Sequence, residues 1–80
     1  MEYLVLFFTQ SGAIKYQRFL SAQRIHCKLQ PIPRKLSSSC GIAASFRYPG
    51  DLKMLINEDV NKIYQVDQEN YILRYPVEEK

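Results

Sequence analysis

The unbroken apolar run Tyr3-Leu4-Val5-Leu6-Phe7-Phe8 constrains this chain more than any other feature. Six consecutive aliphatic, aromatic and β-branched residues give a strand two faces to bury, so this strand belongs in the middle of a sheet. At 80 residues the chain makes one domain, residues 1–80. A domain of that size buries only about 60–65% of its unfolded surface, so one small core must supply nearly all the stability. That leaves no room for a large enclosed catalytic cavity. An apolar fraction of 46% with 24% charged residues is globular composition and excludes intrinsic disorder.

The same run argues against targeting. It follows Glu2 rather than a basic stretch, has no small-residue cleavage site after it, and falls far short of the ~20 residues that cross a bilayer. Two cysteines do not make a disulfide scaffold. The expectation is a reducing, cytoplasmic setting and no membrane association.

Beyond the first strand, Thr9 and Ser11 are both suited to cap a helix, and Gly12-Ala13 permits a tight entry. Ala13, Tyr16 and Leu20 trace one face, with Ile14 and Phe19 widening it, which predicts a helix over residues 12–23. Ile25-His26-Cys27-Lys28-Leu29-Gln30 alternates apolar and polar as a half-buried strand does. Pro31 and Pro33 then take the chain out of the sheet or along its edge. Gly41-Ile42-Ala43-Ala44-Ser45-Phe46 reads as a third strand, although Ala43-Ala44 also has good helix propensity. Asp51 begins a second helix with Leu52, Leu55 and Ile56 facing inward, ending between Asn57 and Val60. Residues 62–66 and 71–75 are two strands joined by the four-residue turn Asp67-Gln68-Glu69-Asn70.

The order is β-α-β-β-α-β with an added C-terminal strand. The fold class it predicts is α+β, a ferredoxin-like sandwich of an antiparallel sheet with both helices on one face.

Charge is distributed unevenly. Residues 1–35 carry Lys15, Arg18, Arg24, Lys28, Arg34 and Lys35 against Glu2 alone, while residues 36–80 are net acidic. A basic N-terminal half attracts phosphates or an acidic partner, and Lys15, Arg18 and Arg24 form a basic face for docking.

Reactive chemistry concentrates in Pro31-Ile32-Pro33-Arg34-Lys35-Leu36-Ser37-Ser38-Ser39-Cys40-Gly41. A thiolate forms near neutral pH only when cations or donors lower the thiol pKa from about 8.5. Arg34 and Lys35 lie in the same loop as Cys40, Ser37, Ser38 and Ser39 offer hydroxyl donors, and the Gly41 amide is unshielded by a Cβ. In the expected topology this loop sits beside the start of the first helix, near Thr9, Ser11 and Gly12. There, unpaired amides and roughly half a positive charge favour an anionic sulfur. Cys40 is therefore expected to be partly exposed with a depressed pKa. Cys27, in an alternating strand, reads as core.

If residues 26–31 pair antiparallel with 41–46, Cys27 opposes the far end of the third strand. The two sulfurs then lie on the order of 20 Å apart at ~3.3 Å per residue. A disulfide needs Cα atoms within about 7 Å, so Cys40 acts alone. One histidine, His26, and two distant cysteines assemble neither a zinc site nor a Cys-His dyad, and no metal or cofactor is expected.

Three features together resemble the selenium/sulfur carrier protein-like family. They are the strand-helix opening with Ser11-Gly12-Ala13, the Pro31-Ile32-Pro33-Arg34 exit from the second strand, and Ser37-Ser38-Ser39-Cys40-Gly41. The resemblance covers residues 3–66. It implies a sulfur or selenium carrier rather than a turnover enzyme, holding the atom on Cys40 as a persulfide or selenosulfide. Donor and acceptor proteins of sulfur or selenium transfer are the implied partners. Arg34, Ser38, Ser39, Gly41, Ser11 and Gly12 would stabilise the anion. Two rival readings use the same residues: a module in which this loop and helix start clasp an anionic ligand or RNA phosphate, Cys40 being incidental, and an adaptor that pairs through a sheet edge.

Overall fold

The computed structural model describes residues 1–36 and 40–76. Strand β1 (Glu2–Phe7) leads into helix α1 (Gln10–Ala22), followed by β2 (Cys27–Pro31) and β3 (Ile42–Arg47). A 3-10 turn over Leu52–Leu55 then precedes the hairpin of β4 (Val60–Asp67) and β5 (Asn70–Tyr75). The strands form one sheet in the order β2-β3-β1-β4-β5, every neighbouring pair antiparallel. As its sequence requires, β1 is central, and Tyr3 to Phe7 are all buried.

Strand alternation divides the core between the two faces. Tyr3, Val5 and Phe7 point to the face covered by α1, where Ala13, Tyr16 and Leu20 pack with Ala44, Phe46, Leu55, Val60 and Ile63. Tyr16 is the centre of this layer. Its ring lies 5.3 Å from that of Phe7 and 6.4 Å from that of Phe46. Its hydroxyl donates to the Leu55 carbonyl at 2.8 Å and so pins the helix to the 3-10 turn. Each large aliphatic or aromatic side chain buried this way contributes roughly 1.5–3 kcal/mol. On the opposite face Leu4, Leu6 and Ala43 are covered by Ile32 and Leu36, together with Tyr64, Val66 and Tyr71. The Pro31-Ile32-Pro33 exit thus sends the chain across the sheet rather than along its edge.

Three expectations need correction. The second α-helix does not form: Asp51 caps a start, its carboxylate accepting from the Lys53 amide, but only one 3-10 turn follows. Ile56 already has extended geometry and β4 begins at Val60. The segment is too short to nucleate an α-helix, and Asn57 and Asp59 are poor helix formers. Leu52, Leu55 and Ile56 still pack on the core as their pattern demands. The two-helix ferredoxin-like layer is therefore reduced to one α-helix and one turn, on a five-stranded antiparallel α+β sheet.

Helix α1 runs from Gln10 to Ala22 rather than over residues 12–23, because Thr9 and not Ser11 caps it. The Thr9 hydroxyl accepts from the Gly12 amide at 3.0 Å. Ile14 consequently faces outward, and Arg24 lies beyond the helix with a left-handed φ of 63°.

The β4–β5 turn is tighter than expected. Asp67 pairs with Asn70, leaving only Gln68 and Glu69 between the strands, with Gln68 taking the positive φ.

Candidate functional site

Antiparallel pairing of β1 with both β3 and β4 brings the end of β1, the start of α1 and the start of β3 to one end of the sheet. Cys40 stands there, two residues before β3. The Gln10 side-chain amide, on the first residue of α1, donates to the Cys40 carbonyl at 3.1 Å. Gly41 follows with φ +75°, a conformation that costs L-residues with a Cβ about 1–2 kcal/mol. This left-handed residue turns the chain so that Cys40 tucks under the helix start while Ile42 enters the sheet.

The consequence for the thiol differs from the sequence expectation. Cys40 is 6% exposed, not partly open, and belongs to the core layer beneath α1. Its Sγ donates to the Ile42 carbonyl at 3.1 Å. Burial follows from the turn at Gly41, whose geometry could not be read from composition.

The other predicted residues divide into two groups. Ser11 and Gly12 lie on the first turn of α1, at the Cys40 end of the sheet, as expected. Ser11 Oγ is 3.2 Å from the Thr9 hydroxyl, and Gly12 is buried. An acidic group also stands at this helix start. A Cβ built on Gly12 would lie 3.3 Å from Asp59 Oδ1 and 3.1 Å from Thr9 Oγ1, so the absence of a side chain lets the carboxylate approach. A carboxylate there gains from the helix N-terminal partial charge, which it shares with any second anion.

Arg34 and Lys35 lie with the hairpin instead. Both are exposed and line an open depression of about 440 Å³ with Gln68, Glu69 and Tyr71. The Lys35 ammonium donates to the Glu69 carbonyl at 3.1 Å. The chain reaches this position because Ile32 and Leu36 anchor it on the sheet face opposite α1, whereas Cys40 belongs to the α1 face. Ser37, Ser38 and Ser39 lie outside the described residues.

Cys27 is core, as its strand pattern implies. It is 4% exposed, its carbonyl accepts from the Gln17 amide at 3.2 Å, and burial pushes its thiol up to about 11. It pairs with Phe46 in the β2–β3 register, at the opposite end of β3 from Cys40. The two cysteines are not joined, as the spacing argument requires. Among the described residues no three His, Cys, Asp or Glu side chains cluster to hold a metal ion.

The sequence carries no signal that marks Gln10 or Asp59 as part of this site. A glutamine in a first helical turn carries no motif, and Asp59 reaches Gly12 only through the path of the 3-10 turn.

With this geometry in place, comparison with family models gives a match over residues 2–72, to the family described as "Putative Se/S carrier protein-like". The chain belongs to this family. The match spans β1 through the start of β5 and includes Cys40, Gly41 and the whole first turn of α1. Searches of curated proteins and of solved structures return no match. Among the described residues, no helix is long and apolar enough to cross a membrane.

Proposed function

We propose that this protein carries a sulfur or selenium atom on Cys40 and passes it to an acceptor protein. Membership of the Se/S carrier family supports the class of chemistry. The observation that carries the assignment to a residue is Cys40 itself. It is followed by a left-handed glycine and held through its carbonyl by the first residue of α1. Cys27, with its thiol pushed up to about 11 by burial, is unsuited to the task.

Loading is a thiol exchange. The Cys40 thiolate attacks the outer sulfur of a donor persulfide, forming Cys40–S–SH, and the donor sulfur leaves as a thiolate. Delivery repeats the step, with an acceptor nucleophile attacking the outer atom and Cys40 leaving. Before loading, Cys40 must give up its bond to the Ile42 carbonyl and turn outward. Once loaded, the outer sulfur stands about 2.05 Å beyond Sγ, which brings it toward the surface and the first turn of α1 at Ser11. Ser38 and Ser39 supply further donors in this scheme. Arg34, exposed beside the hairpin, belongs to the docking rim for an acidic donor or acceptor. A reducing cytoplasm suits a thiol that must stay unpaired with Cys27. The strand order with α1 on one face suits a ferredoxin-like variant in which a 3-10 turn replaces the second helix.

Incubation with cysteine persulfide, followed by mass analysis of the Cys40 peptide, tests the reading. One added sulfur on Cys40 in the native chain, and none in Cys40→Ser, is expected. Loading on Cys27, or on neither cysteine, refutes it.

A further inference from the structure

A second depression lies at the far end of the sheet from Cys40, where α1 ends and β3 leaves the sheet. It is an open depression of about 650 Å³ rimmed by three exposed, permanent cations from different segments: Arg24 after α1, Lys28 on β2 and Arg47 at the end of β3. His26 also lines it, and among the described residues Glu2 is its one carboxylate, 4.0 Å from the Arg47 guanidinium. The remaining wall is apolar, with Tyr48 and Ile25 half-buried beside the buried ring of Phe46.

The register explains why these charges converge. Lys28 pairs directly with Ser45, and Glu2 pairs with Arg47. Glu2, Lys28, Ser45 and Arg47 therefore share the sheet face opposite α1, while Ile25, Phe46 and Tyr48 belong to the α1 side, so the depression wraps around the end of the sheet with Arg24 at its α1 edge. Three cations against one carboxylate leave a charge of about +2, reduced by about half a unit by the C-terminal partial charge of α1.

We infer that this depression binds a small phosphate monoester with a flat apolar body, a nucleoside monophosphate being the simplest example. A phosphate monoester carries about −1.5 to −2 at neutral pH, which matches the balance of the rim. Arg24, Lys28 and Arg47 supply charge-assisted donors from three directions, as a tetrahedral phosphate requires. A base or similar ring rests against Tyr48 and Ile25. The volume falls within the ~300–1,000 Å³ range of small-molecule sites and is too limited to define a macromolecular groove. The inference is independent of the carrier reading, since no residue of this depression touches the Cys40 end.

Titration with adenosine 5′-monophosphate, read by amide chemical shifts, tests it. Saturable shifts confined to residues 24–28 and 45–48 are expected, with adenosine or inorganic phosphate alone each binding at least about tenfold more weakly. Arg47→Gln and Lys28→Gln each weaken binding about tenfold, the loss of one charge-assisted hydrogen bond, while Arg18→Gln on α1 leaves it unchanged. Three outcomes overturn the inference: no saturation, equal binding of inorganic phosphate, or equal loss in Arg18→Gln. Tight, steeply salt-dependent binding of single-stranded RNA without binding of the mononucleotide also overturns it, assigning the surface to a polymer backbone.

Discussion

Replacing Gly41 by alanine isolates the backbone conformation that positions Cys40. Gly41 has φ +75°, and a Cβ added there would meet no atom within 4 Å. The substitution therefore introduces no clash, and its whole cost is conformational. Left-handed geometry disfavours alanine by about 1–2 kcal/mol. Against this, alanine restricts the unfolded chain, which recovers about 0.4–1 kcal/mol. The expected net loss is about 1 kcal/mol, or about 4–8 °C in Tm for a domain of this size. Thermal unfolding followed by circular dichroism reads that shift directly. Gly41→Asn serves as the partner variant, because asparagine tolerates the left-handed region and should lose markedly less. The Sγ contact of Cys40 with Ile42 spans residue 41, so Gly41→Ala should also speed alkylation of Cys40. An unchanged or raised Tm for Gly41→Ala would refute the left-handed turn. Equal losses for alanine and asparagine would place the cost in sterics and contradict the open space around Gly41.

Three further predictions follow from single contacts. Tyr16→Phe leaves the buried Leu55 carbonyl without its 2.8 Å donor and should cost about 1–2 kcal/mol in denaturant unfolding; an unchanged midpoint would show that the hydroxyl does not anchor the 3-10 turn. Because the Cys27 thiol is raised from 9.0 to about 11, the unfolded chain gives up this proton at lower pH than the native one. The corresponding stability is present below pH 9 and lost as pH rises toward 11, so the alkaline decline should flatten in Cys27→Ala. Gln10→Ala removes the 3.1 Å tether on the Cys40 carbonyl and should raise the Cys40 alkylation rate about fivefold, the equivalent of a hydrogen bond of about 1 kcal/mol. An unaltered rate would show that this tether does not govern opening of the site.

Strands and inward-facing positions were legible because burial imposes a period. The central place of β1, the inward faces at Ala13, Tyr16 and Leu20, and the separation of Cys27 from Cys40 all follow from alternation and spacing. The strand reading of residues 42–47 prevailed over the helix propensity of Ala43-Ala44, because small residues let β3 pack between β1 and β2. Elements decided by chain length and local turn geometry were less legible. The segment after Asp51 has an inward pattern that a helix and a 3-10 turn both satisfy, and the early start of β4 decided between them. At the β4–β5 turn, Gln68 adopts a positive φ usually reserved for glycine or asparagine, so no turn residue announced its length.

The candidate site shows the same division. Its placement beside the start of α1 came from topology, while the burial of Cys40 came from one dihedral at Gly41. Arg34 could not be positioned from loop proximity, because Ile32 and Leu36 commit the preceding chain to the other face of the sheet.

Intact-mass measurement of the protein purified without reductant tests the carrier assignment most directly. The account predicts a population heavier by one sulfur or one selenium atom, with the added atom on the Cys40 peptide, released by a thiol reductant and missing from Cys40→Ser. A thiol mass for every molecule from donor-rich cells, or an adduct that persists in Cys40→Ser, would contradict it.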